Sequence, residues 1–333
     1  MKKSILFLGI FSLTLALLSA WFFYEPSTAI RQDLPRYACI VCSPEEGYWG
    51  EVKEGIRLAD ENFHTSTRIS NFSILDCAQQ IQLLQETRYL DLDGVITVGD
   101  PDLPELNEML RQINAEGTPI ILIDTDSVQS SRTCYIGTNN YEAGKLAAEE
   151  VLRRTEGDVH AAVLTTGSEK SYQAERIQGF QDTLEASGRA EILEVSVNEQ
   201  EKFCFMESLT HLIETYDSMN AIFCAEASTT QYISLAESSL SDLRDSVIIG
   251  FDDLDATLHA IRSGFLDATI VQDAQGMGYE AVHLLSTLPE SGSSETAPEN
   301  SDIEKNRSGQ NLYTEIQLVT PENVDTYKNN RNS

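Results

Sequence analysis

Beyond residue 36 the chain alternates between short apolar runs and longer segments of helical period. The runs are YACIVC, RISNFSIL, GVITV, TPIILI, TCYIG, VHAAVL, AEILEVSV, NAIFC, SVIIG, DATIV and LYTEIQLV. Between most of them, apolar positions recur at spacings of three and four. Tyr48, Val52, Ile56, Ala59 and Phe63 form the first such stripe. NNYEAGKLAAEEVLRR has an Asn start, an Ala/Leu stripe and a basic end that suits the helix dipole. Strands alternating with helices predict α/β architecture, with parallel sheets covered on both faces. So many strands exceed one comfortable sheet, and two doubly wound lobes are expected. Such sheets bind ligands beyond the carboxyl ends of their strands, so the cleft between the lobes is the expected site.

Two stretches break the alternation. Residues 4–24, SILFLGIFSLTLALLSAWFFY, carry no charge and follow Lys2 and Lys3. At ~1.5 Å per residue they reach across a ~30 Å hydrocarbon layer. The lysines favour a cytoplasmic N-terminus and an exported body. The length and the terminal WFFY predict an uncleaved anchor on the outer face of the membrane. A signal peptide cut near Ser27-Thr28-Ala29, releasing a secreted or periplasmic protein, is the alternative. The first cysteine, Cys39, lies too far beyond the apolar run for a lipoprotein. The second stretch, 289–310, is rich in Ser, Glu, Pro and Asn and is expected to be a mobile surface loop.

Composition narrows the function. The 333 residues are 41% apolar, enough for about two domains. The formal charge of −30 repels phosphate backbones and argues against a nucleic-acid partner. Five of the six cysteines (Cys39, Cys42, Cys77, Cys134 and Cys224) lie in or beside strand-like runs and read as buried thiols. Cys39 and Cys42 have C-x-x-C spacing, but within a strand they point to opposite faces, and no second pair accompanies them. No metal site, cofactor or catalysis is expected: the histidines show no ligand spacing, and no nucleophile elbow, P-loop or dinucleotide loop is present.

Seven short pieces then occur in order: SPEEGYWGEVKEG, GTPIILIDTD, YIGTNNYEAGK, AERIQGF, AIFCAEAS, VIIGFDD and DATIVQD. Over about 37–320 the chain resembles periplasmic sugar-binding proteins of the ribose-binding type, which have the type I periplasmic-binding fold. The resemblance implies two lobes joined by three hinge strands. Crossings are expected near Thr138–Asn139, near Gln272–Asp273 and near residue 310. The implied division is 1–36 as anchor and linker, 37–138 plus 273–310 as one lobe, and 139–272 plus 311–333 as the other.

The resemblance also implies a ligand site. Tyr48 and Trp49 stand where aromatics stack on a sugar ring; otherwise they cap the first helix against the core. Asp124, Arg176, Asp252 and Gln272 stand at the polar positions, with Thr138 as a further candidate. The aspartates also suit turn and cap chemistry, Arg176 a surface charge, and Gln272 a bridge between backbones. Three positions depart from the family pattern. Glu46 and Glu226 replace an Asn, and Thr125 replaces an Arg. The site gains acids and loses a base, which points away from a simple neutral aldopentose towards an amine-bearing sugar-like ligand. The implied partner is an ABC-type permease, or alternatively a membrane sensor kinase.

Overall fold

In the computed structural model the described residues are 34–43, 47–73, 76–166, 171–197, 202–240, 243, 245–288 and 310–331. The chain divides into two units, Met1–Leu34 and Pro35–Ser333, and the elements below all belong to the second. Residues 4–24, Glu46 and nearly all of 289–310 lie outside the described residues. Among those described, no helix is long and apolar enough to cross a membrane.

The apolar runs become strands: β1 (Arg36–Cys42), β2 (Ser66–Phe72), β3 (Gly94–Val98), β4 (Ile120–Ile123), β5 (Cys134–Gly137), β6 (Val159–Thr165), β7 (Ala190–Val197), β8 (Ala221–Cys224), β9 (Val247–Phe251), β10 (Ala268–Gln272), β11 (Gln310–Tyr313) and β12 (Ile316–Val319). The helices are α1 (Tyr48–Phe63), α2 (Cys77–Thr87), α3 (Pro104–Ala115), α4 (Asn140–Arg154), α5 (Ser171–Ala186), α6 (Lys202–Thr215), α7 (Ala227–Leu235), α8 (Asp255–Ser263), α9 (Ala274–Thr287) and α10 (Val324–Arg331). Asn139 caps α4, its side chain accepting from the Glu142 N–H, and Asp273 caps α9 through the Gly276 N–H.

Two six-stranded sheets result, in the orders β11-β5-β4-β3-β1-β2 and β12-β10-β9-β8-β6-β7. Each is apolar on both faces, as helix-covered parallel sheets are. On β1, Cys39 and Val41 enter the core beneath α1 and α9, while Ala38, Ile40 and Cys42 enter the core beneath α2 and α3. The C-x-x-C pair is thus split across the sheet, and both side chains are buried.

Three details depart from expectation. The run LYTEIQLV is two strands in two sheets: β11 joins β5, and β12 joins β10. The last passage between sheets therefore falls at Thr314–Glu315 rather than near 310. Gln310 starts a strand and does not end a loop. Finally, β12 runs antiparallel to β10, because the chain enters the second sheet straight from a strand of the first with no helix to reverse it.

Helix packing fixes the cleft walls. At Gly144 in α4 an added Cβ would lie 1.8 Å from the Arg176 carbonyl oxygen, and at Gly179 in α5 one would lie 2.0 Å from that of Tyr141. The missing side chains let α4 and α5 touch backbone to backbone, which sets the depth of Arg176 in the second lobe.

Candidate functional site

The carboxyl ends of both sheets face a shared cavity of about 300 Å³. Its walls include Tyr48, Trp49 and Asp124 from the first lobe, and Arg176, Glu226 and Asp252 from the second. Gln272, at the end of β10, completes the floor.

Asp124 and Asp252 occupy matching places. Each follows a central strand in the left-handed region, with φ of 64° and 62°. The Asp124 N–H donates to Ile136 O at 3.2 Å, and the Asp252 N–H to Ile270 O at 2.8 Å. Their own carbonyls accept from the Tyr135 hydroxyl and the Thr269 hydroxyl respectively. A positive φ on a non-glycine residue is uncommon, and Asp tolerates it better than most. Here it turns both carboxylates off the strand axis towards the cavity.

The aromatic pair sits at the start of α1. Tyr48 and Trp49 meet edge to face, with ring centroids 5.2 Å apart. The Tyr48 hydroxyl donates to Asp124 Oδ1 at 2.6 Å. Burial, reinforced by the Asp124 charge, pushes the Tyr48 pKa well above its usual value, so it remains a donor. The second Asp124 oxygen accepts from the Thr125 hydroxyl at 2.8 Å. Trp49 is partly buried against both cores of the first lobe while one part lines the cavity. Packing against the cores and a face on the cavity thus coexist in one residue.

Arg176 is only 4% exposed. Its Nη2 donates to Asn140 Oδ1 at 2.7 Å, Nε reaches the same oxygen at 3.3 Å, and Nη1 donates to the Ala225 carbonyl. The guanidinium carbon lies 3.3 Å from the centroid of the Phe251 ring. Among the described residues no carboxylate comes within salt-bridge distance of it. Burial lowers its pKa, against the opposing pull of Asp252 and other nearby negative groups. Arg176 is therefore an interior cation and not a surface charge.

Glu226 precedes α7 but does not cap it with its side chain. Its Oε1 accepts from the Thr165 hydroxyl at 2.7 Å and the Thr166 N–H at 2.6 Å, and Oε2 accepts from the Thr166 hydroxyl at 2.7 Å. Asp252 Oδ1 accepts from Gln272 Nε2 at 2.9 Å, while Oδ2 accepts from no described residue. Burial raises the Asp252 pKa to about 6, the Gln272 hydrogen bond and the Arg176 charge opposing it.

Thr138 is 2% exposed and lies outside the cavity lining. Its hydroxyl donates to Gln272 Oε1 at 2.7 Å. Thr138 belongs to the first crossing between sheets and Gln272 to the second. The bond therefore ties two hinge segments together and orients the amide that donates to Asp252. Tyr172, Asn140 and Ser228 also line the cavity, and sequence reasoning did not single them out. Tyr172 had a usable signal, since it lies four residues before Arg176 and shares its helix face. Asn140, beside the capping Asn139, had none.

Comparisons with known proteins fit this layout. A family model described as a periplasmic binding protein domain matches residues 37–291. Ribose import binding protein RbsB of Bacillus subtilis (strain 168) is 22% identical over 206 residues, 61% of this chain and 65% of that protein. The chain thus spans a little under two thirds of that relative. A solved sugar ABC transporter sugar-binding protein from Bacillus halodurans superposes with a TM-score of 0.77 at 28% identity, covering 88% of this chain and 99% of that one. A solved XylFII–LytSN complex shares the fold at 23% identity, with a TM-score of 0.69 over 87% of this chain and 98% of that one.

Proposed function

The chain belongs to the periplasmic binding protein family, and from that premise we propose that it captures a sugar or sugar derivative in the cleft between its lobes, outside the cytoplasm and without catalysis. One observation carries the reading: an aromatic pair, three carboxylates and a buried guanidinium from both lobes converge on a cavity floored by Gln272. A carboxylate accepts from two neighbouring hydroxyls at once, and a ring face covers the apolar side of a pyranose or furanose. Only a closed cleft makes all these contacts together, so ligand favours closure. The captured ligand passes to an ABC-type permease. The uncharged stretch 4–24 keeps the protein at the membrane, and release of protein with a mature N-terminus near Ile30 would refute that part.

Thermal unfolding of the full chain against a panel of monosaccharides and amino sugars tests the binding reading. At 100 times its Kd a bound sugar adds about 2.7 kcal/mol of stability. No shift with any of them would remove sugar binding. A second reading, a membrane-bound ligand sensor that signals through a kinase, draws on the solved XylFII–LytSN assembly of the same fold. Co-purification with a sensor ectodomain rather than a permease would select it.

A further inference from the structure

We propose that the sugar held in this cleft carries a positively charged amine, and that the free oxygen of Asp252 receives it. The inference rests on the sugar-binding reading above and refines it to a substrate class.

The first ground is how the cavity's one described cation is held. Arg176 lies between neutral acceptors, Asn140 Oδ1 and Ala225 O, and against the face of Phe251. None of the carboxylates lining the cavity is its ion-pair partner. The guanidinium therefore leaves three acids facing the ligand with no salt-bridge partner among the described residues, although its charge reaches Asp252.

The second ground is how those acids are held. Asp124 takes a hydroxyl on each oxygen, from Tyr48 and Thr125. Glu226 takes two hydroxyls and a backbone N–H. The oxygens of these two acids are therefore already supplied with donors from the protein.

Asp252 differs. One oxygen accepts from Gln272, and the other faces the cavity with no donor among the described residues. Burial already works against its ionised form. Closing the lobes over a neutral sugar would strip water from this carboxylate and offer it hydroxyl dipoles alone, in a cavity lined by two further acidic side chains. An ammonium group brings both the missing charge and up to three N–H donors. A sugar acid would bring a fourth acidic group, so it is the ligand class least suited to the cleft.

The role also moves within the site. Sequence departures drew attention to Glu226, but both its oxygens already accept from Thr165 and Thr166. The seat with an unused acceptor is Asp252. Replacing it by Asn preserves shape, the acceptor used by Gln272 and tolerance of the left-handed backbone, and removes only the charge.

The test is calorimetry at pH 7 on the full chain with two matched pairs: D-glucosamine with D-glucose, and D-galactosamine with D-galactose. At least one amino sugar is expected to bind more than tenfold tighter than its neutral counterpart, about 1.4 kcal/mol. In Asp252→Asn that ratio should fall to near one, while Glu226→Gln should change it less. Neutral sugars that bind as tightly as amino sugars would overturn the proposal and leave sugar binding standing. So would a ratio that survives Asp252→Asn. Failure of all four sugars while another neutral monosaccharide of the thermal-unfolding panel binds would overturn this refinement and leave sugar binding standing, whereas failure of the whole panel would remove both. Thermal unfolding shows whether each variant folds; should Asp252→Asn not fold, the wild-type ratio alone decides.

Discussion

Asp252 should make the empty protein less stable, and removing its charge should help it. The carboxyl has an ordinary pKa of 3.8, and in the folded protein burial raises it to about 6. The folded state then holds this proton more tightly than the unfolded state does. Stability must therefore fall as pH rises from about 4 through 6, and the penalty is complete above that window. A shift of this size corresponds to roughly 3 kcal/mol at about 1.4 kcal/mol per unit, and partial solvent contact reduces it to about 2. Asp252→Asn keeps the side chain's shape and its bond to Gln272, so it should recover most of that amount. In a chain of this size that is about 3–6 °C in melting temperature. The assay is thermal unfolding of both ligand-free proteins from pH 3.5 to 8. The two curves should meet near pH 4 and separate through pH 6, with the variant higher. The variant should meanwhile lose affinity, as expected where a binding residue is strained for function. Parallel curves across the whole range, or a variant less stable at pH 8, would refute the reasoning.

Other outcomes follow from the same geometry. Trp49→Ala should weaken sugar binding by about 1–3 kcal/mol and also lower ligand-free stability, because the ring packs on both cores of its lobe; calorimetry showing unchanged affinity would assign Trp49 to the core alone. Thr138→Val should free the Gln272 amide to turn, raise the Asp252 pKa further and move the pH profile of binding upward, while Thr138→Ser should restore it; a profile that stays fixed in the Val variant would remove the positioning role. Gly144→Ala should force α4 and α5 apart and reduce affinity by displacing Arg176, with calorimetry as the check and normal affinity as the refuting result. Small-angle scattering should record a smaller radius of gyration at saturating ligand, and an unchanged radius would count against closure about the hinge.

Much of this protein was legible in local pattern. Short continuous apolar runs located the strands, and the alternation of side chains along a strand placed Cys39 and Cys42 on opposite sides of β1. Spacings of three and four located α1, and Asn139 marked the start of α4. Motif order pointed to Tyr48, Trp49, Asp124, Arg176, Glu226, Asp252 and Gln272, all of which line one cavity. These features depend on residues near one another in the chain, where backbone geometry leaves few choices. Other features required the assembled fold. LYTEIQLV divides between two sheets because each sheet has an edge open to a few residues, and nothing inside the run says where it must cross. Thr138 proved to orient Gln272 because two crossings distant in sequence lie side by side. Arg176 was visible as a charge, but its pairing with Asn140, Ala225 and Phe251 depends on how closely two glycines let α4 and α5 approach. The free oxygen of Asp252 is of the same kind. Hydrogen-bond satisfaction is settled between segments, so sequence can count the acids in a cleft but only packing determines which of them remains without a partner.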